Sequence, residues 1–294
     1  MKRYTADFET ATWLEDETFV WAWAVCEIGN ENNITIGNNI DTFIEFCRNE
    51  KNPILYFHNE KFDGEFIIHW ALSHGFKHVI KNEDIESNTF TTLISDMGQF
   101  YSITLYFYKN GHHTKKVTFY DSLKIIPFSV DKIAKSFKLP ISKLSIDYNK
   151  PRKKNHKLTK IEREYITNDV KIVAMALNVL FSEDLKKMTQ GSNALSDYKK
   201  IVTKAKFLQL FPEIDPILDE DLRKAYRRWL YLCKSSIQRK RGGTGRSFRC
   251  ELALSPLYFM ISLCLMVSQS FLKANTKKIE YTLYMYKCLH VLLK

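Results

Sequence analysis

The chain has 294 residues, room for one large or two ordinary domains, and its 45% hydrophobic and 26% charged content is that of a soluble globular protein. A net charge of +11 invites a nucleic-acid partner, but residues 228–294 hold 12 Lys+Arg against 2 Asp+Glu, leaving 32 against 31 before them. That split excludes a uniformly basic nucleic-acid coat: any such affinity in residues 1–227 comes from local arrangement. Cysteine splits the same way, with Cys26 and Cys47 early and Cys233, Cys250, Cys264 and Cys288 late. No CxxC pair or zinc spacing occurs, so reduced thiols and a cytoplasmic location are expected. The N-terminal MKRYTADFE has no apolar signal core. The longest apolar run, LYFMISLCLMV (257–267), is too short to cross a bilayer, so no membrane partner is expected.

In chain order, RYTADF (3–8) and FVWAWAVCEI (19–28) are β-rich, and DTFIEFCRN (41–49) has the apolar spacing of a short helix. PILYFHN (53–59) reads as a buried strand behind a proline. KFDGEFIIHWALSHG (61–75) then carries Phe62, Phe66, Ile67, Trp70 and Ala71 at helical spacing, with Gly75 as a stop. Strand-like runs follow at 89–95, 100–109 and 115–122, with GHH between the last two marking a hairpin. VDKIAKSFKL (130–139) is an amphipathic helix. KPRKKNHK (150–157) is a basic loop, its run RKKNHK (152–157) expected to be solvated. Residues 158–181 form the strongest helical pattern, with Thr159 and Glu162 spaced as a capping box. Strands and helices in this order give a layered α/β or α+β domain.

Four acids sit in unusual settings. Asp7 and Glu9 end an apolar β run, and positions i and i+2 of a strand share a face, so these carboxylates converge. Asp63 follows the strand LYFHN, and Asp169 lies four residues after Tyr165 on one helix face. Crowded carboxylates repel unless a cation lies between them. Mg²⁺ is held by a few carboxylates plus phosphate oxygens, and two such ions serve phosphodiester cleavage. Each acid has an ordinary reading alone: D-x-E is commonplace, Asp63 complements a helix dipole, and Asp169 is a solvated helix residue. Their joint occurrence is what points to metal chemistry, with Tyr165 placed to orient water.

ADFET (6–10), YFHNEKFDGEF (56–66) and YITND (165–169) resemble the three exonuclease motifs of family B DNA polymerases, in the form found in protein-primed polymerases of small tailed phages. YDSLKIIPFSVDKIAKSFKL (120–139), SIDYNK (145–150), MTQGSNAL (188–195) and the AYR ending at Arg227 resemble that subfamily too. The resemblance covers residues 1–227. It implies a 3′→5′ exonuclease on an RNase H-like (DnaQ-type) α/β fold, a mixed central sheet flanked by helices. It implies Asp7, Glu9, Asp63 and Asp169 as ligands of two Mg²⁺ or Mn²⁺ ions, and Tyr165 as the residue that positions water. Lys143 matches a lysine near the scissile phosphate. Thr10, His58, Asn59, Phe62, Ser122, Leu123 and Phe128 match positions that contact single-stranded DNA or shape its groove. Taken on the residues alone, Phe62 and Leu123 also read as core and His58 as a satisfied histidine. The partners implied are a single-stranded DNA 3′ end and, in an intact polymerase, a terminal protein primer. The setting implied is the host-cell cytoplasm, for a viral or plasmid-encoded protein.

The expected organisation is an exonuclease domain over 1–188, a segment leading to the polymerase part over 189–227, and a tail over 228–294. After Arg227 the family's glycine-glycine-aromatic linker is replaced by RWLYLC, and Glu251 and Glu280 cannot build a two-metal polymerase palm. The genetic code permits a shifted frame here. Trp229 is TGG and Leu230 begins with C or T, which forces Gly, and the shifted run can read Gly-Gly-Phe-Thr. The same shift lets RCELALSP (249–256) read Asp-Val-Asn-Ser-Leu-Tyr-Pro, the palm motif. The tail is therefore expected to be out of frame and to form no defined domain; a divergent basic DNA-binding appendage is the other reading. For the whole chain, the alternatives are a stand-alone RNA or DNA exonuclease and a non-enzymatic single-stranded nucleic-acid-binding remnant.

Overall fold

An alternation of short β-rich runs with amphipathic segments makes one mixed sheet covered by helices on both faces. The computed structural model describes residues 1–11, 17–148 and 150–225. Eight strands run β1 (Arg3–Thr10), β2 (Val20–Glu27), β3 (Asn30–Gly37), β4 (Ile54–Phe57), β5 (Lys77–His78), β6 (Thr89–Ile94), β7 (Phe100–Asn110) and β8 (His113–Asp121). The helices are α1 (Ile40–Asn49), α2 (Glu60–Ser73), α3 (Val130–Ser136), α4 (Lys160–Ser182), α5 (Gln190–Val202) and α6 (Lys204–Leu210). Residues Met1–Phe207 form one compact unit and a second begins at Leu208. In the second, helical turns over 216–225 carry the i,i+4 ion pairs Arg223–Asp219 and Lys224–Glu220.

The sheet order is β3-β2-β1-β4-β8-β7-β6-β5. At its centre β1, β4 and β8 run parallel, Ala6 against Phe57 and Phe57 against Asp121. Strands buried on both faces read as continuous apolar runs, as ILYF does in β4. One face bears Tyr4, Ala6, Phe8, Trp23 and Val25 against α1 and α2, with Phe43, Ile67 and Trp70 in the same core. The other bears Trp21, Ala22, Ala24 and Cys26 against Tyr165, Ile166, Val170 and Ala174 of α4. A third cluster joins Tyr56 to Ile133 of α3 and Ile172, Leu177 and Phe181 of α4.

The mixed sheet flanked by helices expected from the sequence is thus the fold observed. The pattern did not reveal β3, β5, α5 or α6, and β3 is the longest strand among them. NENNITIG looks like a polar loop, but Gly29 at φ +88 turns the chain tightly and pairs it antiparallel with β2. The expected hairpin at GHH is present, with Gly111 at φ +56 between β7 and β8. The capping box on α4 forms as expected: Thr159 accepts from the Glu162 N–H, and Glu162 accepts from the Thr159 N–H. In the basic run 152–157, Lys153, Lys154, Asn155 and Lys157 are exposed, as the solvated reading expects, and Arg152 departs from it at only 5% exposed. Its guanidinium is drawn inward by the buried carboxylate of Glu162, 2.8 Å away. The expected frame break and tail at 228–294 lie outside the described residues.

Candidate active site

Three parallel strands deliver their carboxyl ends to one edge, where ligands of open α/β sheets characteristically bind. β1 ends in Asp7, Glu9 and Thr10; β4 leads into His58 and Asn59; β8 ends in Asp121 and leads into Ser122. Asp7 and Glu9 lie opposite Ala24 and Ala22 of β2. Those small side chains leave room for α4 to close over the carboxylates. The Thr5 hydroxyl, on the same face, donates to the Val170 carbonyl at 2.8 Å and ties β1 to α4. Tyr165 and Asp169 descend from α4 onto this face, both buried. Asp63 arrives from the first turn of α2. The helix starts there because Asn59 takes a left-handed backbone (φ 84, ψ 57) and donates its N–H to Asp121 Oδ1 at 3.1 Å.

The electrostatics show that these acids feel one another. Burial first, and then the Asp169 charge, raise the Asp7 carboxyl above its ordinary range, against the opposing Lys143 ammonium. Glu9 is raised by burial, then by Asp7 and Asp169. Asp63 is raised by burial, then by Asp7, with the Phe8 N–H opposing. Asp169 is raised by burial, which outweighs its hydrogen bond from Lys143 (Nζ to Oδ2, 2.6 Å). Asp63 Oδ1 and Asp169 Oδ1 are buried without a hydrogen-bond partner. Leaving a buried acceptor unsatisfied costs about 1–3 kcal/mol, more when it is charged.

Buried, mutually repelling carboxylates with orphaned oxygens suit a hard cation, so the residues fit the divalent ions inferred from the sequence. Among the described residues no three His, Cys, Asp or Glu side chains converge into a ready-made metal cage. Mg²⁺ requires none, since it is normally bound by one or two carboxylates with phosphate and water completing its shell. A cavity of about 130 Å³ opens beside the acids, lined among others by Asp7, His58, Val130, Lys143 and Asp169.

Of the remaining predicted residues, His58 lines this cavity, and the others lie at the ends of β1, β4 and β8 or on the segments that follow them. Phe62 is 48% exposed on the first turn of α2, with Phe66 behind it at 5.8 Å between ring centres. Phe128 is 37% exposed beneath the Lys132 ammonium, 4.4 Å from its ring. Asn59 is exposed and Leu123 partly so. Thr10 is buried, and its carbonyl accepts the Trp21 indole N–H at 3.1 Å. The Ser122 hydroxyl is fully buried, 2.9 Å from both the Phe57 carbonyl and His58 Nδ1. His58 Nε2 lies 2.6 Å from the Phe128 carbonyl. Burial lowers the His58 pKa, with the Phe128 carbonyl opposing. A carbonyl only accepts, so Nε2–H donates to Phe128, while the single Ser122 hydroxyl proton goes to the Phe57 carbonyl.

Several residues here carried no assignment from sequence. Asp121 is buried and accepts from both the Asn59 and Leu123 N–H groups. Its signal, an acid ending an apolar strand, is the one that marked Asp7. The Tyr148 hydroxyl lies 2.5 Å from that of Tyr165. Glu60 is fully buried with both oxygens unpartnered, and nothing in its surroundings in the sequence signals that.

Residues 44–228 match the family model for DNA polymerase type B, organellar and viral. The chain belongs to that family. It is 43% identical over 247 residues to the DNA polymerase of Bacillus phage Nf, covering 84% of this chain and 42% of that protein. It is 41% identical over 247 residues to the DNA polymerase of Bacillus phage phi29 and 34% identical over 240 to that of Streptococcus phage Cp-1. The phi29 DNA polymerase complexed with single-stranded DNA matches with a TM-score of 0.70 at 41% identity, over 76% of this chain and 39% of that one. The same enzyme complexed with primer-template DNA and incoming nucleotides also gives 0.70. This type B polymerase chain spans about two fifths of the length of the phage polymerases it matches. Among its described residues, no helix is long and apolar enough to cross a membrane.

Proposed function

We propose that residues 1–188 are the 3′→5′ exonuclease domain of a protein-primed DNA polymerase acting in a host-cell cytoplasm, with 189–227 leading toward the polymerase part. The observation that carries this reading is the meeting of four mutually repelling acids, Lys143 and Tyr165 at the carboxyl ends of parallel strands. Asp7, Glu9, Asp63 and Asp169 would hold two Mg²⁺ or Mn²⁺ ions, which supply charge neutralisation at the phosphodiester and an acidified attacking water.

The chain's own groups do the rest. Tyr165 is held protonated by burial and by the nearby Glu9 charge, so its hydroxyl orients water by hydrogen bonding and does not act as a base. Lys143 stays charged, because burial, the largest single effect, is outweighed by the Asp169 hydrogen bond together with the Asp169 and Asp7 charges, and it presents a compact ammonium to a phosphate oxygen. Phe62 and Phe128 offer exposed faces on which bases stack without sequence preference. Asn59 and Leu123 border the same groove, and Thr10 closes the end of β1. His58 and Ser122 act by fixing the Phe128 backbone, which shapes that groove. A single-stranded DNA 3′ end is the substrate, and a terminal protein primer is the partner of the longer polymerase.

Degradation of a 3′-labelled single-stranded DNA oligonucleotide in Mg²⁺ tests the reading. Asp7→Ala and Asp169→Ala are each expected to abolish cleavage, and activity retained in both would refute the site. Phe62→Ala and Phe128→Ala are expected to weaken oligonucleotide binding by about 1–3 kcal/mol each, measured by fluorescence anisotropy. For the tail, the nucleotide sequence is decisive: a coding sequence with no palm motif in a neighbouring frame would end the frame-shift reading.

A further inference from the structure

We infer that Arg152 is a positioning residue that sets where Lys143 and Tyr148 stand over the acids of α4. The inference rests on the exonuclease reading above. Between Leu139 and Thr159 the described residues contain no helix or strand, yet this loop supplies both side chains. It is pinned to α4 at four levels. Asn168 Nδ2 donates to the Ser142 carbonyl at 3.2 Å, Lys143 meets Asp169, Tyr148 meets Tyr165, and Arg152 Nε donates to Glu162 Oε1 at 2.8 Å. Lys143 and Tyr165 are engaged in the chemistry proposed, so their contacts with Asp169 and Tyr148 exchange when substrate binds. Neither Arg152 nor Glu162 lines the cavity, although the guanidinium charge is felt at Glu9, so their contact persists through such an exchange.

The geometry of Arg152 suits this role. Nη1 donates to two carbonyls of the loop, Asp147 and Lys150, each at 2.9 Å. The Asp147 carbonyl immediately precedes Tyr148. The guanidinium lies 4.3 Å from the Trp21 ring centre, which fixes the loop against β2 as well. Glu162 is itself tied down: Oε2 lies 2.9 Å from His156 Nε2 and accepts from the Thr159 N–H and hydroxyl, each at 2.9 Å. One buried fork therefore joins the loop, the sheet and the first turn of the helix that bears Tyr165 and Asp169. A lysine keeps the charge and lacks the fork.

The test uses the full chain with Arg152→Lys, with Lys143→Ala and Tyr148→Phe together, and with all three changes. Single-turnover cleavage in Mg²⁺ and oligonucleotide affinity in EDTA are measured for each. Arg152→Lys is expected to slow cleavage roughly 10- to 100-fold at unchanged affinity, as a small misplacement of a reacting group does. In the Lys143→Ala, Tyr148→Phe background it is expected to add less than about 2-fold, because the side chains it positions are already gone. Nicking at Lys150, Lys153, Lys154 or Lys157 by a lysine-specific protease is read in Glu162→Gln, which breaks the same pair and adds no lysine, and is expected to quicken several-fold over wild type. Losses that multiply in the combined variant, or an unchanged nicking rate, would overturn the inference. If the wild-type chain does not cleave, the exonuclease reading fails and the nicking rate alone decides for Arg152. If Arg152→Lys does not fold, Glu162→Gln releases the same pair from the other side and is judged by the same outcomes.

Discussion

Glu60 stands at the start of α2, fully buried, with both carboxylate oxygens unpartnered. Burial, and then the nearby Asp121 charge, push its pKa from 4.5 to about 8, while the Ile103 N–H and then the Lys124 charge pull the other way. The folded state therefore favours the protonated acid more than the unfolded chain does. The stability this confers is complete below about pH 4.5 and is lost as pH rises through about 8. Glu60→Gln is expected to raise the melting temperature over wild type by more at pH 9 than at pH 5. An equal shift at both values would show that the carboxyl does not titrate in the fold. Asp7 and Glu9 were legible as a pair because strand alternation puts them on one face, and Thr159 with Glu162 because the cap has a fixed spacing. Glu60 and Arg152 were not, because their burial depends on what other elements bring against them. Ile103 of β7 lies beside Gly64, one turn after Glu60, and Trp21 of β2 lies beneath Arg152.

β3 shows the same limit for elements. Its asparagines carry no β signal, and it exists because β2 offers an open edge across a two-residue turn. It ends at Gly37, where an added Cβ would lie 2.3 Å from the Trp23 ring. Trp23 cannot give way easily: it is buried, packs on Phe43 and donates its indole N–H to Thr42 at 3.0 Å. Gly37→Ala is expected to cost about 1–3 kcal/mol in urea unfolding. Gly191, in the first turn of α5, has nothing within 4 Å of its missing Cβ. Gly191→Ala is expected to stabilise by roughly 0.5 kcal/mol, because alanine loses less backbone entropy there. The longer elements, β7, β8 and α4, were visible in sequence because each repeats its apolar period several times.

At the scale of the whole molecule, the acids at the sheet edge oppose the fold that assembles them. As pH rises they ionise and repel, so a divalent cation is expected to raise the melting temperature more at pH 8 than at pH 6. Asp7→Ala is expected to abolish that increment, read by thermal unfolding with Mg²⁺ against EDTA. The Thr5 hydroxyl on the Val170 carbonyl gives this opposition its use. A strand and a helix that bear like charges would relax by drifting apart, and this short strut between them removes that freedom. The repulsion is then held like a compressed spring, relieved only by a proton or a cation and not by motion. Thr5→Val removes the strut and keeps the shape, so the Mg²⁺ increment in melting temperature is expected to shrink although none of the four acids has changed.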